Sequence, residues 1–370
     1  MKVDNSKIFE YETDWFQYFE QFLNQKKIED EDKNAIKVNI VESNQSIQDL
    51  ELRFKNEIEV IPGKESFFYN VVLRSPDENH YLYVNTQSEN ARFWTIHNKE
   101  LQEKILPKID EIFNNSYLQD SIYLSNQMMD YYRNNIVDYS LGLSLKFEDL
   151  SENIVLDNQS NQNLLANSGI SLRCWTKNKR SVSNIINGFK KIRLPINYSY
   201  LNCVFEDEDE EISVKENLFF DGKITIERGN RLARHMDFVR TIRRNYEKQL
   251  SIIEELRPNW REFKGELYEI KFENNINHKS FIDQLINNFS TYKVYTFFMY
   301  KEADFYEYLC IDAHTGGKFY LTIYPERISI NLNNKSCGNI VLRLLSNLQR
   351  HFDPNLDLYA NEENLAAVAK

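Results

Sequence analysis

Residues 318–352 read KFYLTIYPERISINLNNKSCGNIVLRLLSNLQRHF. Aromatic and β-branched side chains alternate with polar ones over KFYLTIY and again over RISINL, with a Pro-Glu turn between, which predicts two strands of a hairpin. A polar stretch containing Asn follows, and the apolar positions then take helical spacing. Two other stretches have the same layout. They are HYLYVNTQSENARFWTIHNKELQEKILPKIDEIF at 80–113 and ISVKENLFFDGKITIERGNRLARHMDFVRTIRRNYEKQL at 212–250.

The pattern extends upstream of each copy. IKVNIVE (36–42), SLRCWTK (171–177) and ELYEIKFE (266–273) are short strand candidates, each followed by a short helix candidate: SIQDLELRFKNE, SVSNIINGFKKI and HKSFIDQLINNF. After these come FFYNVVLRS, NYSYLNCVFE and YKVYTFFMY, rich in the residues that strands favour. The expectation is an α+β protein of three pattern-related antiparallel β-sheet modules, each β-α-β-β-β-α with room for one more strand. An amphipathic helix, DWFQYFEQFLNQ, extends the chain at its N-terminus. The expected division is 1–35 for that extension, 36–135, 136–264 and 265–358 for the modules, and 359–370 for a tail read as a short helix or frayed end.

This order of elements resembles the repeat of TATA-binding-protein-like folds, in which a strand, a short helix, a curved antiparallel run and a long closing helix follow one another. The resemblance is topological and spans about three-quarters of the chain. It implies a fold and transfers no functional residue, because a fold hosts many functions. Ferredoxin-like or other α+β sandwiches stay compatible with the pattern.

The formal charge of −11 excludes a generic nucleic-acid or membrane binder, so a polyanion site requires a local reversal of charge. The middle module contains one. Residues 171–200 carry seven basic and no acidic side chains, and 223–248 carry eight basic against three acidic. On a helical wheel Leu232, Met236, Val239, Ile242, Tyr246 and Leu250 form a core face. Arg234, Arg240, Arg244 and Lys248 lie broadly opposite. With Arg173, Lys177, Lys179, Arg180, Lys190 and Lys191 they make the candidate nucleic-acid-binding set, set against the simpler reading of a solvated helix face. The acidic run EDEDEE (206–211) either neutralises this surface or flanks it. Exposed amides at the start of the helix suit an anion, although Asn230 suits an ordinary cap there. On the strands, Tyr81, Tyr83, Tyr306, Tyr308 and Tyr320 are expected on the sheet faces away from the helices, where they stack bases or pack against another surface.

Signals for catalysis are sparse. Glu269 and Lys271 in YEIKF share a strand face and resemble the E-x-K element of PD-(D/E)xK nucleases, which implies a divalent metal and a further acidic ligand. HTGGK (314–318) lacks P-loop spacing and reads as a glycine turn. Cys174, Cys203, Cys310 and Cys337 include no CxxC and point to reduced thiols. No leader or membrane-length apolar run is visible, so a cytoplasmic location is expected. The expectation is a non-enzymatic binding protein without cofactor or metal. It contacts nucleic acid or an acidic protein partner through the middle module, with no membrane association and with oligomerisation open. A protein-only scaffold or assembly subunit is one alternative, and a metal-dependent nuclease using Glu269 and Lys271 is another.

Overall fold

A computed structural model describes residues 6–25, 36–75, 78–87, 92–98, 119–147, 170–175, 181–191, 197–206, 212–229, 231–259, 265–273, 275–361 and 363–365. The α+β class, the antiparallel sheets and the N-terminal helix are as the sequence predicts. The chain forms two compact units. The first comprises residues 1–122, 136–140 and 202–244; the second comprises 123–135, 141–201 and 245–370.

In the first unit the N-terminal helix α1 (Glu12–Gln25) precedes β1 (Lys37–Ser43) and a short helix α2 (Ile47–Arg53). Then come β2 (Ile58–Pro62), β3 (Phe68–Leu73), β4 (His80–Asn85) and β5 (Phe93–Asn98). A capping box starts α2: the Ser46 hydroxyl accepts from the Asp49 amide while the Asp49 carboxylate accepts from the Ser46 amide. The strand order is β2-β3-β4-β5-β1, so the strand before the helix pairs with the last strand of the run. Beyond β1 the order continues through β11 (Lys223–Gly229) and β10 (Ile212–Phe219), with β6 (Gln119–Ser121) also on β1. Leu82, Val84, Trp94 and Ile96 fill one face with Ile47 and Leu50 of α2. On the opposite face Tyr83 packs edge-on to Phe9 and Phe19 and beside Trp15. The first sheet is thus covered on both faces at this point, and Tyr83 is a core residue.

The second unit contains α3 (Asn126–Asn135), the antiparallel pair β7 (Tyr139–Phe147, from Leu141 onward) and β8 (Ile170–Trp175), and α4 (Ser181–Lys191). Two long elements contribute residues to both units: β9 (Asn197–Glu206) and α5 (Leu232–Glu255). The third copy of the pattern is complete. It runs β12 (Tyr268–Lys271), α6 (His278–Asn287), the single turn α7 (Phe289–Tyr292), β13 (Val294–Lys301), β14 (Tyr306–Asp312), β15 (Lys318–Ile323), β16 (Arg327–Leu332) and α8 (Asn339–His351). Its sheet has the order β13-β14-β15-β16-β12, the same arrangement as β2-β3-β4-β5-β1. The order continues into β17 (Leu358–Ala360) and β18 (Glu363–Asn364), so this part of the expected tail forms strands. The closing helix expected within 99–113 lies outside the described residues.

Tyr308 and Cys310 turn inward on β14, opposite Leu321 and Phe319 of β15. Leu309 and Ile311 sit half-buried on the outer face, the reverse of the alternation expected for this strand. On β15 the expectation holds, with Phe319, Leu321 and Ile323 buried and Tyr320 outside. The glycine turn of 314–318 also forms: Gly316 has φ +68°, and its amide donates to the Asp312 carbonyl.

Nearly every residue of α8 is buried, including Arg343. The Arg343 guanidinium pairs with the Asp312 carboxylate and donates through Nε to the Tyr292 carbonyl at 2.8 Å. Thr315 completes the Asp312 shell by donating its amide and hydroxyl at 2.9 and 2.6 Å. Burial by itself would raise the Asp312 carboxyl, but Arg343 and Thr315 hold it below the ordinary carboxylate range. Removing one partner strands a buried charge. Asp312→Ala is expected to cost about 3–5 kcal/mol in urea unfolding, and an Asp312→Leu/Arg343→Met pair to recover most of that loss.

Candidate functional site

The core face of α5 is as the wheel predicts: Leu232, Met236, Val239, Ile242, Tyr246 and Leu250 are buried. The basic face is not uniform. Arg240 lies 3.4 Å from Glu12 of α1 and 3.6 Å from Asp237. Glu12 is itself buried and accepts from Asn85 Nδ2 at 2.6 Å. Burial raises the Glu12 carboxyl above its usual range, against the pull of Asn85 and Arg240. Arg240 therefore neutralises a buried internal acid. Arg234 stacks 5.1 Å from the Phe205 ring centroid and lies 3.9 Å from Asp138. Arg234, Arg244 and Lys248 remain exposed, as do Arg173 on β8 and Lys191 on α4. Lys177, Lys179 and Arg180, the Lys190 side chain and the acidic residues 207–211 lie outside the described residues.

The start of α5 is occupied by the protein's own anion. Glu20 of α1 accepts from the Leu232 amide at 2.9 Å, where the helix dipole favours negative charge. Asn230 lies outside the described residues.

Beside this helix the first unit buries a polar cluster that the sequence reading missed. His235 Nδ1 and a Glu216 carboxylate oxygen are hydrogen-bonded at zero exposure. His97 of β5 lies 6.4 Å from His235 and 4.7 Å from Trp15, ring to ring. The three polar residues are 97, 216 and 235, and each sits in an otherwise apolar or alternating segment, so spacing gives no motif. Burial, then the neighbouring His235, pushes the His97 pKa down to about 3.

The Glu269 and Lys271 side chains do share a face of β12, 3.9 Å apart. Glu269 is engaged by Arg327 at 3.2 Å, and Lys271 lies over the Tyr359 ring at 4.9 Å. Among the described residues no group of three His, Cys, Asp or Glu side chains is arranged to hold a metal ion. Nor is any described helix long and apolar enough to cross a membrane.

The largest anomaly is β13. Tyr295, Phe297, Phe298, Met299 and Tyr300 are all 43–59% exposed on one edge strand. Tyr295 and Phe297 stand opposite Ile311 and Leu309 of β14 and continue an outer sheet face that includes Tyr320 of β15. A single exposed Leu is ordinary, whereas several exposed aromatics on one strand are not. The run YTFFMY was visible in the sequence as a strand, but its edge position depends on the order of all the other strands.

Two antiparallel sheets that share the strand order of β2-β3-β4-β5-β1 and β13-β14-β15-β16-β12 define an α+β protein. The chain belongs to the MJECL33-like protein family, which matches residues 6–366. It is similar to the uncharacterised protein MJECL33 of Methanocaldococcus jannaschii, 27% identical over 376 positions that cover 90% of this chain and 88% of that one.

Two outcomes test the internal roles. Arg240→Met is expected to lower the melting temperature by a few degrees, because it uncovers buried Glu12, while Arg244→Met leaves it unchanged. His97 gives a pH signature. Below about pH 6.5 the unfolded chain binds a proton that folded His97 refuses down to about pH 3, so stability falls as pH falls across that window. The slope is about 1.4 kcal/mol per pH unit from this group, and His97→Phe is expected to flatten it in melts between pH 7 and 4.

Proposed function

We propose that this chain is a non-enzymatic binding protein that engages a protein partner through the aromatic edge and outer face of its second sheet. The observation that carries this reading is the exposure of five large apolar side chains on β13. Candidate acids and bases are meanwhile committed internally: Asp312 to Arg343, Glu216 to His235, and Glu269 to Arg327. Strand order β2-β3-β4-β5-β1 and its copy β13-β14-β15-β16-β12 support the TATA-binding-protein-like reading of the first and third modules. The experiment is cross-linking mass spectrometry in cells of the source organism, comparing wild type with Phe297→Lys/Tyr320→Lys. Protein cross-links to β13–β15 that disappear in the variant are expected. Cross-links indifferent to the substitution overturn the assignment.

A second reading rests on the basic side chains left exposed: Arg173, Lys191, Arg234, Arg244 and Lys248. It makes the partner nucleic acid or an acidic protein. Binding to labelled DNA or RNA, followed by anisotropy, is then expected to weaken by about 0.7–0.9 log unit per phosphate contact per decade of salt. Arg244→Glu/Lys248→Glu removes it with the fold intact. Arg240 is unsuitable for this test because its loss uncovers Glu12.

A further inference from the structure

We infer that the occupant of the β13 edge is a second copy of this chain, paired antiparallel through β13 into a two-fold dimer; this rests on the reading of β13 as a protein-binding surface. Sheet edges are ordinarily blunted, since a free row of amides and carbonyls templates pairing with another strand. Two other edges of this protein are blunted. On β2, Pro62 removes an amide and Glu59 adds charge, paired with Arg74 at 2.8 Å. The edge strand β18 is two residues long and includes Glu363.

The β13 edge lacks these devices. It is eight residues long, contains no proline, and has no charged side chain between Lys293 and Lys301. Its one irregularity is the register shift between Phe298 and Tyr300. That bulge confines the regular edge to Val294–Phe298, a length suited to one short strand pair. Among the described residues the edge is thus open, apolar and bounded.

Chemistry and area choose a second copy over another partner. An antiparallel strand pairs with itself about a two-fold axis, so one surface supplies both halves of the interface and the assembly closes at two. The strand presents Tyr295, Phe297 and Phe298 without charge, so it holds nothing that selects a charged heterologous edge. Aromatic side chains expose roughly 200 Å² when fully open, so five half-exposed large side chains offer on the order of 500 Å² per copy. Two copies bury roughly 1,000 Å², the lower bound for a specific interface. Leu309, Ile311 and Tyr320 on the adjoining face extend it. An interface of that size implies a dimer that dissociates on dilution.

Sedimentation equilibrium of the full chain from about 1 to 200 µM tests this. Wild type is expected to pass from monomer toward twice the monomer mass, and Tyr295→Lys/Phe297→Lys to stay monomeric with an unchanged circular dichroism spectrum. Pairing geometry is tested separately by mixing Tyr295→Cys and Phe297→Cys chains, each in a Cys174→Ser background. Oxidation is expected to give a mixed disulfide dimer, because a two-fold at the centre of Val294–Phe298 sets residue 295 opposite residue 297 of the second copy, whereas Lys335→Cys in the same background gives none. A wild-type monomer at every concentration overturns the second copy and leaves the protein-partner reading to its cross-linking test. A dimer that survives Tyr295→Lys/Phe297→Lys overturns β13 as the dimer contact. Absence from wild type of cross-links between β13–β15 and any other protein, with dimerisation intact, overturns only the heterologous partner.

Discussion

Arg343 places a full positive charge on a helix that has almost no exposed residue. A guanidinium cannot shed its proton, so the surrounding chain must supply a counter-charge and acceptors. Asp312 at the end of β14 and the Tyr292 carbonyl at the end of α7 provide them. The helix, the end of β14 and the turn before β13 are thereby tied to one point. Other polar residues of α8 are used in the same way. Ser346 donates to the Leu124 carbonyl at 3.2 Å, Gln349 Oε1 accepts from the Asn126 amide at 2.9 Å, and Arg350 donates to the Tyr198 carbonyl at 3.3 Å. This helix organises the second unit through directional bonds as much as through apolar area, which favours one packing over its alternatives.

The first unit meets a comparable constraint with acids. Glu12, Glu20 and Glu216 are respectively held by Asn85 and Arg240, by an amide at the start of α5, and by His235. A chain of net charge −11 has acidic side chains in excess, and here some serve as anchors for helix ends and internal bases. The basic helix face loses part of its reach for the same reason. Arg240 is committed to the interior while Arg244, one turn on, faces water.

The outer face and edge of the second sheet carry aromatic rings that are about half exposed, while the first sheet covers its equivalent face with α1. The difference lies in the N-terminal extension: Trp15 and Phe19 shield Tyr83, whereas Tyr295 meets Phe289 of the single turn α7 at 4.7 Å, ring to ring, and stays 43% exposed. Two sheets of one strand order therefore differ in what they present to solvent.

Much of the architecture was legible in the sequence. Period-two alternation marked β15 and β16, helical spacing marked α5, and the recurrence of strand, short helix and strands marked the repeated pattern. These signals are local, because the pleat and the helical turn impose them within a few residues. The second sheet's face assignment at β14 was read backwards, since Tyr308 and Leu309 are both compatible with a core and alternation alone does not say which side the helix covers. Nor did the basic side chains announce their partners. Arg240 meets Glu12 across 228 positions, and His235 meets Glu216 only because β10 and α5 pack together. The sequence by itself determined the α+β class, the element types and the core face of α5. Tertiary structure decided which arginine is internal, which tyrosine is buried and which strand is an edge, because each depends on non-local strand order and burial.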